Sequence, residues 1–192
     1  MQALVVVDAQ NEFGPGGQRA VPDHQTALEA ILARVADARA EGRPIAFIRH
    51  HNIGEDVDAF VPGSWGAEFS PGIGPVDGVA HETEFVKEVV GAFSTTHLES
   101  WLRARGCGSV LLVGFFAHMC LSTSAREAYV RFFDVAVDPD GTESRPIHHP
   151  LLGEQSADEV RRTALLHLSS LGVAITPRES AKASVSAGAT TR

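Results

Sequence analysis

Apolar residues fall in short unbroken runs, separated by longer stretches in which they recur at helical spacing. Residues 3–7, ALVVV, form a run ended by Asp8; without polar alternation, it predicts a strand covered on both faces. From Pro22 through LEAILARVADARAE the apolar positions follow a helical period until Gly42, predicting a helix over 22–41. PIAFI (44–48) predicts a second strand, and a weaker one lies around Phe85–Lys87. Thr96 and Glu99 have capping-box spacing and predict a helix that ends near Gly106. Then come a strand at SVLLVG (109–114), a helix over 118–131 and an extended segment at DVAVD (134–138). A helix over Ser156–Leu171, opened by a capping box of Ser156 and Glu159, and a last strand at VAIT (173–176) complete the pattern.

This alternation predicts an α/β protein, a three-layer α/β/α sandwich of Rossmann-like plan around a mostly parallel sheet. One domain over 1–179 accounts for the pattern, and the Ala-, Ser- and Thr-rich tail, 180–192, has no apolar face to bury and is expected to be flexible. The stretch 50–82 is long and rich in Gly and Pro. A connection of that length in a compact domain predicts a cover over a site or an interface.

Composition narrows the function classes. The chain has 192 residues and a net charge of -8. No Lys/Arg cluster reads as a phosphate-binding stripe, so nucleic acid is not an expected partner. No apolar run approaches the roughly 18 residues of a membrane span. Two cysteines form no disulfide framework, and the opening MQALVVVDAQNEF carries no basic leader. A cytoplasmic protein is expected.

Ligands of open α/β sheets collect beyond the carboxyl ends of the strands. Asp8 follows ALVVV, Lys87 follows the short FV segment, and Cys120 lies six residues past Gly114. Cys120 in the first turn of a helix would feel unpaired N–H groups and the helix dipole, which favour a thiolate; a nearby lysine would favour it further. A carboxylate could take the thiol proton, giving a nucleophile suited to acyl transfer. The same three residues read equally as a buried core thiol, a turn aspartate and a solvated lysine. Cys107, in the turn before a strand at the opposite end of the sheet, reads as structural. The adjacent His50 and His51 point apart on an extended segment and make a poor metal-binding pair, and His24, His81, His97 and His118 are scattered. No HExxH or Cys/His ladder is present, so no metal is expected. FGPGG (13–17) lacks the GxGxxG spacing, and GxxxxGK[ST] and GxSxG are absent, which leaves no expected cofactor and no serine elbow.

Four segments in order, VVVDAQNEF (5–13), FVPGSWGAEF (60–69), FVKEVVGAFSTTHLESWLRARG (85–106) and VGFFAHMCLSTSAREAY (113–129), resemble the isochorismatase-like cysteine hydrolase superfamily over residues 2–177. The resemblance implies a six-stranded parallel sheet and an Asp–Lys–Cys triad of Asp8, Lys87 and Cys120. It also implies a non-proline cis peptide at Phe115–Phe116 and an oxyanion hole from the N–H groups of Phe116 and Cys120. Homodimers or larger oligomers are expected, with part of the 50–82 loop against a neighbour. Nicotinamidases of the superfamily place Asp-x-His and a later His after the second strand to hold a metal. This chain has Arg49 at the Asp position, which points away from that cofactor. The resulting expectation is a metal-independent amidohydrolase acting on a small amide, lactam or carbamoyl compound through a Cys120 thioester. Phe13, Phe60, Trp65 and His118 are the expected pocket residues. The alternatives are vinyl-ether hydrolysis and a catalytically silent oligomeric binding protein. Segment DPDGTESRP (138–146) departs from the family pattern.

Overall fold

The computed structural model describes residues 1–54 and 57–178; the expected tail, 180–192, lies outside them. Strand β1 (Gln2–Val7) is central, as its wholly apolar run requires: Ala3 through Val7 are fully buried. Helix α1 (His24–Ala40) returns the chain to β2 (Ile45–His50), and the long 50–82 connection leads to β3 (Glu82–Lys87). After α2 (Leu98–Ala104), strand β4 (Ser109–Phe115) enters on the other side of β1, followed by α3 (Ser122–Val130) and β5 (Asp134–Glu143). A short antiparallel hairpin, β6 (Ile147–His149) and β7 (Gly153–Gln155), precedes α4 (Ala157–Leu171) and the edge strand β8 (Ala174–Ile175).

The six-stranded sheet runs β3-β2-β1-β4-β5-β8, with parallel pairing throughout. Its two faces carry separate cores. On one, Ile31 and Val35 of α1 pack with Leu4, Val6, Phe47 and Val113. On the other, Leu98 and Leu102 of α2, Ala125 of α3 and Leu168 of α4 pack with Val5 and Leu112. This is the expected three-layer sandwich. The chain leaves β1 toward β2 and β3, then returns to place β4 on its opposite side. The strand order therefore reverses between β1 and β4, and a crevice opens beyond their carboxyl ends.

Several local expectations need correction. The Ser156–Glu159 capping box forms, with each side chain bonding to the other residue's backbone. The Thr96–Glu99 box does not: α2 starts at Leu98, Thr96 Oγ1 accepts from the Leu98 N–H at 3.1 Å and donates to the Ala92 carbonyl at 2.6 Å. Glu99 turns instead to Arg131, 3.2 Å away. The helix expected over 118–131 is two pieces, a π-helical turn at Ala117–Leu121 and then α3. β5 outruns its predicted end because the register slips, with Leu112 opposite Val137 but Gly114 opposite Thr142. The extra residues, DPDG, bulge out, and buried Asp138 fastens the bulge to Arg34 of α1 at 2.5 Å.

Candidate active site

The segment DAQNEF after β1 builds most of the crevice. Asp8 is fully buried and has φ 52°, a left-handed conformation that Asp tolerates better than most residues. Gln10 clamps the neighbouring strand: its amide oxygen accepts from the His50 N–H at 2.8 Å, and its amide nitrogen donates to the carbonyls of His50 (2.9 Å) and Ala67 (2.8 Å). Buried Glu12 accepts from the N–H groups of Phe60 and Gln18, drawing the 50–82 loop over the site. Opposite, Gly114 has φ 121°, and a Cβ there would lie 1.8 Å from the Val7 carbonyl oxygen. Only glycine allows β4 to approach β1 so closely beside Asp8. The peptide Phe115–Phe116 is cis, as the resemblance implies. The Phe116 carbonyl then accepts from the N–H groups of Met119 and Leu121, winding the chain around Cys120.

These elements bring Asp8, Lys87 and Cys120 together. Lys87 Nζ lies 2.8 Å from Asp8 Oδ2 and 3.4 Å from Cys120 Sγ, and the Asp8 and Lys87 side chains are both 0% exposed. Lys87 also reaches His50 Nδ1 at 3.0 Å and the Val89 carbonyl at 3.2 Å. An ammonium has three N–H groups. Four acceptors therefore surround those three N–H groups, and the Asp8 carboxylate is the nearest of them. Because Lys87 donates to Nδ1, His50 carries its proton on Nε2 and donates to Asn52 Oδ1 at 2.8 Å. Burial, and then Lys87, hold the His50 pKa below the ordinary imidazole value, so the ring is neutral. Burial opposes the Lys87 charge, but Asp8 and Cys120 outweigh it and the lysine pKa is raised.

The thiol departs from expectation. Cys120 sits in the π-helical turn rather than the first turn of the α-helix, and burial followed by the Asp8 charge pushes its pKa well up against the opposing pull of Lys87. Burial and the neighbouring Asp8 carboxylate thus favour the protonated thiol in the resting site. Cys107 is remote from it, packed in the core beside α2 and β4.

A cavity of about 300 Å³ opens above Asp8 and Cys120. Phe13, Phe60 and Phe116 form one aromatic wall, with Phe13 5.2 Å from Phe60 and 4.8 Å from Phe116 between ring centroids. Two expected pocket residues lie elsewhere. Trp65 is 57% exposed and borders a separate depression beside Pro15 and Leu28. His118 bonds Ser144 Oγ at 3.0 Å and stacks behind Phe116, and so supports the wall without lining the cavity. Arg19, Asn52, Glu88 and Arg145 line the cavity and were not anticipated. Their contributions come from loops, where no periodic signal marks direction.

The residues at the nicotinamidase-type metal position do not fit a cation. Arg49 pairs with Glu68 (3.0 Å) and Glu84 (2.9 Å) and lies 4.3 Å from the Phe69 ring centre, bringing its own positive charge. Among the described residues no group of three or more His, Cys, Asp or Glu is placed to hold a metal ion.

Comparison with known proteins gives a consistent result. The Isochorismatase domain family model matches residues 2–179. The secreted isochorismatase effector Isc1 of Verticillium dahliae is 31% identical, over 75% of this chain and 73% of its own length. The nicotinamidase/pyrazinamidase of Mycobacterium tuberculosis is 32% identical, over 67% of this chain and 78% of its own. Among solved structures, an isochorismatase from Pseudomonas putida superposes with a TM-score of 0.82 at 25% identity, covering 92% of this chain and 87% of that one.

Proposed function

The chain belongs to the isochorismatase family of hydrolases, and from that premise we propose that it is a metal-independent cysteine amidohydrolase of small C–N acyl substrates. The observation that carries the proposal is the buried contact set of Lys87 with Asp8 and Cys120 at the floor of the cavity. Relatives that hydrolyse amides, such as the nicotinamidase/pyrazinamidase, support the reaction class.

In this reading Asp8 takes the thiol proton as Cys120 Sγ attacks the acyl carbon, and Lys87 stabilises the sulfur charge as it forms. The N–H groups of Phe116 and Cys120 hold the tetrahedral oxyanion. Protonated Asp8 returns the proton to the leaving nitrogen, and ammonia or an amine departs from the thioester. Asp8 then deprotonates a water that attacks the thioester carbon, and the proton it gained goes to the departing sulfur. The balance is one amide and one water to one acid and one amine. His50, neutral and donating to Asn52, holds Lys87 without competing for its charge.

The test is hydrolysis of a panel of small amides, lactams and carbamoyl compounds, followed by liquid chromatography–mass spectrometry with wild type and Cys120→Ala in parallel. Turnover by wild type alone is expected. Equal turnover by both would remove the thiol from the reaction and favour non-covalent chemistry such as vinyl-ether hydrolysis. No turnover by either, with a thiol inert to alkylation, would favour a silent scaffold.

A further inference from the structure

Between α3 and α4, in the outer layer, lies a second groove of about 360 Å³ that shares no lining residue with the cavity above Cys120. Its walls follow from helix spacing. His118, Ser122 and Arg126 recur every four residues along the π-helical turn and α3, and all three line the groove. Opposite them, Val160, Thr163, Ala164 and His167 form one stripe of α4, at intervals of three and four. Val160 and Ala164 supply a buried apolar lining. The polar side chains are of one character. Ser122 is 8% exposed, yet its hydroxyl makes no hydrogen bond among the described residues, whereas Ser124 donates its own to the Cys120 carbonyl at 2.6 Å. Buried polar groups are normally satisfied, so a hydroxyl left over beside a groove points to a ligand. Arg126 forms no ion pair among the described residues, and no Asp or Glu lines the groove to neutralise it. His118 uses Nδ1 with Ser144 Oγ at 3.0 Å and leaves Nε2 without a partner there.

We propose that this groove binds a phosphate group, free or carried on a small ester, at a site separate from the active site. A guanidinium donates hydrogen bonds and accepts none, while hydroxyls and imidazoles can donate as well as accept. A cation placed there would meet the Arg126 charge, and a neutral ligand would leave that charge uncompensated. A phosphate brings the opposite charge and three or more strong acceptor oxygens, enough to take donors from both helices at once. A planar carboxylate offers only two oxygens. The volume exceeds that of a bare phosphate and leaves space for a short organic part beside Val160 and Ile147. The site asks nothing of Cys120, so it stands independently of the amidohydrolase reading.

The experiment follows the imidazole Cε1–H signals of the histidines by carbon–proton NMR while inorganic phosphate, glycerol 3-phosphate or chloride is added at fixed pH and ionic strength. His118→Gln and His167→Gln assign the two signals of interest. Saturable shifts of His118 and His167 with both phosphates are expected, with the remaining histidines unmoved and chloride without effect. Arg126→Gln should raise Kd by about tenfold or more, as for loss of one charged hydrogen bond, and Arg126→Lys should keep part of the affinity. Ser122→Ala should also weaken binding, by about threefold or more. Arg126 is exposed, so its variants are expected to keep the fold, which the same spectra verify. Arg162→Gln, on another face of α4, should leave Kd unchanged. Tighter binding of glycerol 3-phosphate assigns the site to an ester, and tighter binding of inorganic phosphate assigns it to the free ion. Absence of saturable shifts with either phosphate would overturn the proposal. So would an equal response to chloride, or a Kd that is the same in wild type, Arg126→Gln and Ser122→Ala.

Discussion

Replacing Lys87 by Met should cost far more stability than the loss of a lysine contact, because it strands a charge. Lys87 and Asp8 are both 0% exposed and their charged atoms are 2.8 Å apart. Breaking one partner of such a pair typically costs about 3–5 kcal/mol, since the other is left buried and uncompensated. An upper bound follows from protonation: a stranded aspartate can escape by binding a proton, and from an ordinary pKa of about 3.9 to pH 7 that costs about 4 kcal/mol. The expected loss for Lys87→Met is therefore about 3–4 kcal/mol, a large part of the roughly 5–15 kcal/mol that holds a typical domain. With a urea slope of about 2 kcal/mol per M, the midpoint should fall by about 2 M. Asp8→Asn is the suitable partner substitution, because Asn keeps the tolerance for the left-handed φ of 52°.

The assay is urea unfolding of wild type, both single variants and Asp8→Asn/Lys87→Met. The contacts of Lys87 with His50 and Val89 are lost in the single and the double alike, so the cycle isolates the charge pair. The double variant should be more stable than Lys87→Met by about 2 kcal/mol or more. The sign with pH is fixed too. In Lys87→Met the stranded carboxyl has a folded pKa above its unfolded value, so its penalty is full at pH 7 and is relieved as pH falls through the folded pKa. Additivity of the two substitutions within about 0.5 kcal/mol, with no recovery in acid, would refute the buried-pair argument.

Two further outcomes follow from the same site. Alkylation of Cys120 by iodoacetamide should keep rising as pH passes the ordinary thiol value of about 8.5, because burial and Asp8 raise its pKa, and Asp8→Asn should move the curve to lower pH; a wild-type plateau below pH 8 would contradict this. Gly114→Ala should lose at least about 3 kcal/mol or fail to fold, since its Cβ would meet the Val7 carbonyl at 1.8 Å with φ at 121°; a change below about 1 kcal/mol in thermal or urea unfolding would show that β1 and β4 separate freely.

The legible parts of this fold are those where one physical effect dominates. The unbroken run of β1 and the Ser156–Glu159 box stand in the structure as read, because burial on both faces and a local hydrogen-bond pair need no distant partner. Thr96 and Glu99 have the same spacing as that box, yet Arg131 draws Glu99 away and Ala92 takes the Thr96 hydroxyl. Tertiary contacts there override a local signal. The meeting of Asp8, Lys87 and Cys120 follows from strand-end positions and a topology that reverses between β1 and β4. Arg145 and Gln10 gave no such signal: Arg145 depends on a register slip in β5, and Gln10 on reaching across to β2. Trp65 cannot be told from the cavity aromatics in the sequence, because an exposed aromatic and a pocket aromatic look alike there.

The hydrogen bonding of Lys87 links the electrostatics to the proposed chemistry. In the resting site the Lys87 ammonium lies between the Asp8 carboxylate at 2.8 Å and Cys120 Sγ at 3.4 Å, with His50 and the Val89 carbonyl as its other neighbours. In the proposed mechanism the thiol proton passes to Asp8, and the negative charge moves from carboxylate to sulfur while Lys87 stays positive between them. The buried site has the same net charge before and after, so the attack creates a nucleophile without introducing a new uncompensated charge into a dry interior. A thiol pKa raised in the free site is compatible with this, because the thiolate need exist only as the acyl carbon is attacked. Neutral His50 is part of the same balance: a second cation beside Lys87 would compete for Asp8 and hold its proton-accepting oxygen. In the proposed mechanism the neutral His50 ring, its pKa lowered first by burial, adds no second cation beside Asp8.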